Sequence, residues 1–506
     1  MRRLIRQPLV LALFCGLLMP LAFAPFGWWP LAVVSLGGLF ALIEPAEIRR
    51  SALRGFVFGV GMFGAGVWWI QVSVHQFGLP YYVFSVSMTA LFVLGMSLYP
   101  ALFAAAAACF NAPRVAMITA FPALWTVLEY LRGTLFSGFP WLSLGYAQIE
   151  SPLAGFAPLL GVFGVSLVSA VLAAALVIAL RGTRRVRVLC ITLAALVFAC
   201  GYLLQSVSWT HATGKPKQAA LVQGAIPQEL KWRRELREPT IRLYRSLSEP
   251  FWEADLIIWP ETAIPAFPQD VSGALADLSQ HADSKPADLL IGMPTGDRFG
   301  GGYFNSVVRI GGDGSKYDKR HLVPFGEYFP FKAIYEGLAA ALSIPMSDFS
   351  AGSAEQHSIA VGGGIAGISI CYEDAFGQEI IDALPAADYL VNVSNDAWFG
   401  DTIAPHQHLE IARMRALESG RWLLRGTNTG ITAIIDHRGR LAARAQPFVE
   451  TVLAGRFETR AGATPFVSWG NMPMIGLCIG LLAVALVATR GQLLKHKHGE
   501  ESGERE

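Results

Sequence analysis

Ala366-Gly367-Ile368-Ser369-Ile370-Cys371-Tyr372-Glu373-Asp374 decides how the central part of this chain folds. The run to Ile370 is β-rich, and Ile368-Ser369-Ile370 has the apolar character of a buried strand. Cys371-Tyr372-Glu373-Asp374 then stands where a helix would begin. A thiol at a strand-to-helix turn lies beside backbone N–H groups that favour the thiolate and can receive an oxyanion. On position alone, the plain alternative is a buried core cysteine.

Outward from this stretch, residues 206–469 keep the same alternation. Short β-rich runs (Leu256 to Trp259, Tyr389 to Val393, Ile431 to Ile435) are separated by polar, helix-compatible segments such as Pro239 to Leu247 and His406 to Leu424. Asp436-His437-Arg438-Gly439 has hairpin-turn chemistry. That order predicts one α/β domain.

The flanks are of another kind. The 506-residue chain is 53% hydrophobic and only 15% charged, with a mean hydropathy of +0.43. Soluble domains carry about a quarter charged residues. The apolar residues gather into blocks of membrane-spanning length at about 9–24, 28–44, 55–73, 82–109, 114–131, 154–180 and 187–205, with an eighth at 471–489. This predicts a polytopic membrane domain over 1–205 with seven transmembrane helices, an extracytoplasmic domain over 206–469, an eighth helix over 470–490 and a charged cytoplasmic tail over 491–506. Pro100 inside the fourth block implies a kink rather than a loop. With the N-terminus inside, Arg2, Arg3, Arg6, Arg49, Arg50, Arg54, Arg114, Arg181, Arg184, Arg185, Arg187, Arg490, Lys495 and Lys497 all fall on the cytoplasmic side. The connections assigned outside hold only Arg132 before the long insert, so 206–469 is expected on the outer face. A net charge of +2 has none of the basic clustering that a nucleic-acid-binding face needs.

Of six cysteines, Cys15, Cys109, Cys190, Cys200 and Cys478 lie in or beside apolar blocks, where a thiol packs as a small hydrophobe. Only Cys371 lies in the insert, without a partner in its domain. Chemistry at a thiol needs a base and a means of stabilising developing negative charge. Two segments offer such groups: Trp259-Pro260-Glu261, a carboxylate just past an apolar strand, and Lys319-Arg320-His321-Leu322-Val323-Pro324-Phe325-Gly326-Glu327. A surface glutamate and a solvated basic turn are the ordinary readings of each. Spacing alone cannot bring the three segments together.

The three segments, in this order, resemble the Glu–Lys–Cys constellation of the nitrilase superfamily of carbon–nitrogen hydrolases. The wider pattern is similar to the membrane branch of that superfamily that completes bacterial lipoprotein acylation. It covers nearly the whole chain, through Gly138-Phe139-Pro140-Trp141, Val222 to Gln228 with Lys231-Trp232, Ser394-Asn395-Asp396-Ala397-Trp398-Phe399-Gly400, Arg413-Met414-Arg415-Ala416 and Thr427-Asn428-Thr429-Gly430.

The resemblance implies an α-β-β-α sandwich carried by an eight-helix membrane domain in the bacterial inner membrane, with the catalytic domain on the periplasmic face. It implies Cys371 as nucleophile on the sn-1 ester of a phospholipid, in all expectation phosphatidylethanolamine. Glu261 would be the base, and Lys319 the stabiliser of the oxyanion. The acyl thioester would pass to the α-amine of diacylglyceryl-cysteine in an apolipoprotein acceptor, in a ping-pong scheme. By the same resemblance Glu327 would hold Lys319 or the nucleophile, Glu373 would support the pocket, and Trp232 and Tyr372 would position or contact lipid. Ordinary packing is the competing reading for these four. No cofactor or metal is expected, since His406 and His408 have no matched third ligand and Gly362-Gly363-Gly364 is not followed by GK[ST].

Gly55 and Gly59 form a GxxxG, read as a packing contact, and Glu129 with Arg132 form a candidate pair at a lipid boundary. A membrane-anchored amidase, or an inactive lipid-binding or transport protein, would share parts of this pattern. Few ionisable residues near mid-membrane argue against transport of a polar solute.

Overall fold

The computed structural model describes residues 7–77, 81–110, 113–297, 302–328, 349–356 and 358–503. The chain divides into two compact units, one of Met1–Gln71, Val86–Val207 and Trp469–Glu506, the other of Val72–Ser85 and Ser208–Ser468.

The first unit is helical and apolar. Among the described residues, four helices are long and apolar enough to cross a membrane: Tyr82–Ala108, Pro152–Arg181, Arg184–Leu204 and Met472–Arg490. A fifth results if Ile48–Gly66 and Ile70–Gln76, bent by 59°, count as one span. The blocks expected at 9–24 and 28–44 form the shorter helices Pro8–Ala22 and Pro30–Leu42, because Pro25 and Pro30 cannot continue a helix from the preceding turn. The block at 114–131 is divided into Pro113–Ile118 and Ala120–Arg132. Tyr82–Ala108 runs through Pro100 as one element. The last helix continues to Gly503, so the charged tail begins as helix rather than as the disordered segment its composition implies.

Helix Arg184–Leu204 buries only Gly201 and leaves Leu189, Leu196 and Leu203 more than 60% exposed, the surface expected of a helix whose solvent is lipid. Small residues let backbones touch. A Cβ on Gly55 would lie 2.2 Å from the Pro100 carbonyl oxygen, and one on Gly59 would lie 2.7 Å from Ser97 Cα. The GxxxG is thus a packing contact between two helices. Glu129 accepts from Trp125 Nε1 (2.8 Å) and the Leu144 N–H (2.9 Å). Arg132 donates to the Phe139 and Trp141 carbonyls and to Ser143 Oγ. The pair pins the loop that carries Gly138 to Trp141.

Among the described residues, the second unit is built on fourteen strands: β1 Thr210–Ala212, β2 Lys217–Gln223, β3 Leu256–Ile258, β4 Asp288–Asp297, β5 Gly302–Ile310, β6 Lys316–Asp318, β7 Ser358–Val361, β8 Gly364–Ile370, β9 Tyr389–Ser394, β10 Leu423–Thr427, β11 Ala433–Ile435, β12 Leu441–Arg444, β13 Thr451–Phe457 and β14 Arg460–Gly462. Twelve of these form two six-stranded sheets, ordered β13-β2-β3-β4-β5-β6 and β12-β11-β10-β9-β8-β7. The middle of each sheet is parallel and its margins antiparallel.

The two sheets face one another over a core of Leu221, Leu256, Ile258, Leu290 and Val307 from the first and Ile368, Ile370, Val391, Val393 and Leu424 from the second. Burying each such side chain contributes about 1.5–3 kcal/mol. On the outer face of the first sheet, Ile241, Tyr244 and Leu278 come from helices Arg234–Ser248 and Ser272–Asp283. On the outer face of the second, Leu409, Ala412 and Ala416 come from helix Ala404–Ser419. The layers are therefore α-β-β-α.

Two local expectations need correction. The helix expected to run from His406 to Leu424 ends at Ser419, where Gly420 adopts a left-handed conformation (φ +64°) that caps it. Leu423 and Leu424 then open β10. The strand expected from Ile431 is confined to Ala433–Ile435, because Thr432 Oγ1 is engaged with Thr427 and Gln223. The turn after β11 closes as a hairpin, with the Asp436 N–H on the Arg440 carbonyl (2.9 Å) and Gly439 at φ +74°.

Candidate active site

Each of three strands ends on a functional side chain: Glu261 three residues past β3, Lys319 immediately past β6 and Cys371 immediately past β8. Strands β3 and β6 belong to one sheet and β8 to the other, so stacking the sheets brings together groups far apart in sequence. Backbone strain marks the same places. Cys371 has φ +52° and Thr262, next to Glu261, has φ +51°; Ala225 and Phe325 are also left-handed. Non-glycine residues hold such conformations only where the surroundings over-determine them.

Lys319 Nζ is 2.8 Å from Glu327 Oε2 and 4.0 Å from Glu261 Oε1. Asn305 on β5 donates from Nδ2 to both carboxylates, at 2.7 Å to Glu261 and 3.0 Å to Glu327. Glu261 Oε2 is buried and receives no hydrogen bond from the described residues, so it is available to a proton of the nucleophile or substrate. Gly292 on β4 makes room for this arrangement. A Cβ there would lie 2.3 Å from the Pro260 carbonyl oxygen and 2.7 Å from Glu261 Cα.

Protonation follows from burial and neighbours. Burial, then Glu261, push the Cys371 thiol well above its usual range, and Lys319 opposes them. The resting thiol is therefore protonated at neutral pH. Burial raises Glu261 as well, against the pull of Lys319, making it a stronger base than an exposed carboxylate. Burial works to lower Lys319, but Glu327 and Glu261 outweigh it and keep it cationic. The group is thus a protonated thiol, a basic carboxylate and a permanent cation, as acyl transfer through a thiol requires.

Glu373 does not face this group directly. Its carboxylate accepts from the backbone N–H groups of Arg320 (2.6 Å), His321 (3.1 Å) and Ile370 (2.7 Å), and from Tyr317 Oη (3.1 Å). One side chain thereby ties the end of β8 to the turn after Lys319. Tyr372 packs against His321 and Phe376. Trp232 is 52% exposed, so it is not the core residue that ordinary packing would make it.

Beside the Cys371 backbone lies a charged cluster that sequence reasoning missed. Arg425 Nη1 is 3.0 Å from Asp374 and Nη2 is 3.1 Å from Asp396. His408 bridges the same two carboxylates, at 2.9 Å and 2.8 Å. His408 Nε2 also lies 3.3 Å from the Cys371 carbonyl oxygen, as does Asn392 Nδ2. All four charged residues are 2% exposed or less. Burial and Arg425 depress His408, but the two aspartates raise it to about 9. It is therefore an ion-pair member, and the described residues contain no cluster suited to a metal. The available signal was Arg425 itself, a cation inside an otherwise apolar strand; Asn305 offered none.

A family profile for the apolipoprotein N-acyltransferase N-terminal domain matches residues 15–175, and one for carbon–nitrogen hydrolases matches residues 218–465. An apolipoprotein N-acyltransferase of Methylococcus capsulatus is 44% identical over 97% of this chain and 98% of its own. The chain belongs to the apolipoprotein N-acyltransferase family. Relatives of that name from Nitrosomonas europaea (43% identical over 94% of this chain and 96% of theirs) and Coxiella burnetii (40% over 94% and 99%) extend the match. A solved carbon–nitrogen hydrolase superfamily protein from Xanthomonas campestris, with an arsenic adduct in its active site, aligns with 52% of this chain and 97% of its own at 19% identity and a TM-score of 0.36. In this apolipoprotein N-acyltransferase family member the hydrolase profile covers the two-sheet unit and the other covers most of the apolar helices.

Proposed function

We propose that this protein transfers an acyl chain from the sn-1 position of a phospholipid to the N-terminal amine of diacylglyceryl-cysteine in apolipoproteins, through a thioester on Cys371. The observation that carries the reading is buried Glu261 and Lys319, 4.0 Å apart, with a half-buried Cys371 thiol that feels both charges, inside a chain of this family.

Glu261 takes the thiol proton as sulfur attacks the ester carbonyl. Lys319 Nζ and the Tyr372 N–H offset the charge that develops on the carbonyl oxygen. Collapse of the tetrahedral species breaks the ester C–O bond, and Glu261 passes its proton to the departing lysophospholipid. The acceptor amine then attacks the thioester, Glu261 removes its proton, and the amide forms as the thiolate leaves and is reprotonated. Two products leave in turn, so the kinetics are ping-pong.

Glu327 orients Lys319, while Glu373 and Tyr372 shape the turn beside the nucleophile. The exposed Trp232 contacts lipid. Phosphatidylethanolamine is the donor. We further propose that residues 1–205 and 470–490 supply eight membrane crossings, that 206–469 forms the catalytic domain on the periplasmic face of the inner membrane, and that 491–506 is cytoplasmic. Asymmetric basic residues support that orientation, and a thioester intermediate requires a site shielded from water.

Intact mass after incubation with phosphatidylethanolamine in detergent tests the reading. The parent protein should gain one hydroxylamine-labile acyl chain, Cys371→Ala should gain none, and a diacylated lipopeptide should discharge the acyl group onto its amine. Absence of both acyl-enzyme and lysophospholipid overturns the donor assignment. Discharge to water alone with every amine acceptor would make the protein a phospholipid ester hydrolase instead.

A further inference from the structure

The site holds more charge than the three reacting groups and Glu327 account for. Lys231 lies at the end of the short helix Gln228–Lys231. It is 2% exposed, and its Nζ donates to the backbone carbonyl of Glu261 at 3.0 Å. Among the described residues it forms no ion pair within 4.0 Å. An ammonium buried without a carboxylate is costly, so the fold must hold it there.

The hold is visible. Asn428 accepts the Ile226 N–H at Oδ1 (3.0 Å) and donates to the Ile226 carbonyl (2.8 Å), while Asn395 donates to Gln228 Oε1 (2.7 Å). The Lys231 N–H closes on the Pro227 carbonyl (3.1 Å).

Charge accounting gives this placement a use. Buried Glu373 is offset by three backbone N–H groups and by Arg320, and Lys319 sits on Glu327 at 2.8 Å, which leaves Glu261 as a carboxylate in excess. Asp374, Asp396, His408 and Arg425 balance among themselves when the histidine is protonated. The one mobile negative charge of the reaction, carboxylate on Glu261 or thiolate on Cys371, therefore needs a second cation.

We propose that Lys231 is that cation: a positioning residue that tethers the Glu261 loop through its backbone and balances the negative charge passed between Glu261 and Cys371. The inference rests on the reading of Cys371 as nucleophile and Glu261 as base. The groups facing Lys231 are Glu261 and Cys371, with Lys319 and Glu327 behind them. Burial lowers Lys231 to about 8, against the opposing pull of Glu261 and Cys371, so its charge is present at neutral pH and is lost as pH rises through that value.

The test follows alkylation of Cys371 by iodoacetamide against pH in the full-length protein in detergent, read by mass on the Cys371 peptide. Parent protein, Lys231→Met, Lys231→Gln and Lys231→Arg are compared. Gln keeps a donor for the Glu261 carbonyl without the charge, and Arg keeps the charge. Below about pH 8, where Lys231 carries its charge, the Met and Gln variants should alkylate about tenfold more slowly than the parent, so that their limb sets in at least one pH unit to the alkaline side, while Arg should stay near the parent. A Gln limb that coincides with the parent's overturns the charge role and leaves a tether. Should the Arg variant fail to fold, the Gln limb decides by the same criterion. The underlying reading fails separately: in that case Glu261→Gln leaves the parent limb unmoved and no acyl-enzyme forms.

Discussion

Glu373 illustrates how a residue acts through its neighbours. Three backbone N–H groups and a tyrosine hydroxyl converge on its carboxylate, so it behaves as a clamp between the strand that ends at Cys371 and the turn after Lys319. Glu373→Gln keeps the shape but turns one acceptor oxygen into a donor that opposes those N–H groups. We expect a stability loss of about 1–3 kcal/mol together with a fall in the rate of acyl-enzyme formation on the order of tenfold or more. Thermal unfolding and single-turnover mass analysis would read the two; unchanged single-turnover rates would contradict the clamp.

His408 makes a pH prediction at the same scale. Its folded value of about 9 lies above the ordinary value near 6.5, so protonation stabilises the fold. That contribution is fully present below about 6.5 and is lost as pH rises through 9. Melting temperature should therefore decline between pH 7 and pH 9.5, and the decline should be shallower in His408→Gln. Equal slopes in the two proteins would refute the assignment.

At the scale of elements, β4 is shaped to receive the Glu261 loop. The Trp259 N–H bonds the Leu290 carbonyl (2.8 Å), and the Ile264 N–H bonds the Gly292 carbonyl (3.3 Å). Between these bonds the loop passes so close that a methyl group at Gly292 would meet backbone. Gly292→Ala should leave the first sheet intact while displacing Glu261, so acylation slows by on the order of a hundredfold with the melting temperature changed far less. Unaltered acylation would show that the loop can shift without cost. The strands legible by β-branched runs formed close to their expected positions, whereas among the described residues four of the eight apolar blocks are single helices long enough to span and the others are shorter, bent or divided. The ends were less legible, because Gly420 stops one helix through backbone conformation and Thr432 delays a strand through a side-chain hydrogen bond with partners distant in sequence.

For the whole molecule, the outward orientation argued from the arginines predicts where an added thiol is reached. Asp313 lies exposed on the turn after β5. A cysteine placed there (Asp313→Cys) should react with a membrane-impermeant maleimide in intact spheroplasts, with labelling assigned by peptide mass. Labelling only after permeabilisation would place the catalytic unit on the cytoplasmic side and reverse the topology argued from the arginines.

The amino-acid order alone carried the apolar character of the flanking segments, the α/β alternation of the insert and the isolation of Cys371, because each depends on local composition and period. By resemblance it also indicated Glu261 and Lys319. Folding alone reveals that Asn305 joins two carboxylates, that Glu373 binds backbone N–H groups, and that Arg425, His408 and two aspartates form a charged cluster beside the Cys371 carbonyl. Those contacts arise where two sheets stack and where loops from different strands meet, and no local period records such meetings. Apolar length alone likewise could not say how many helices span: proline positions shorten some blocks, and a 59° bend divides another.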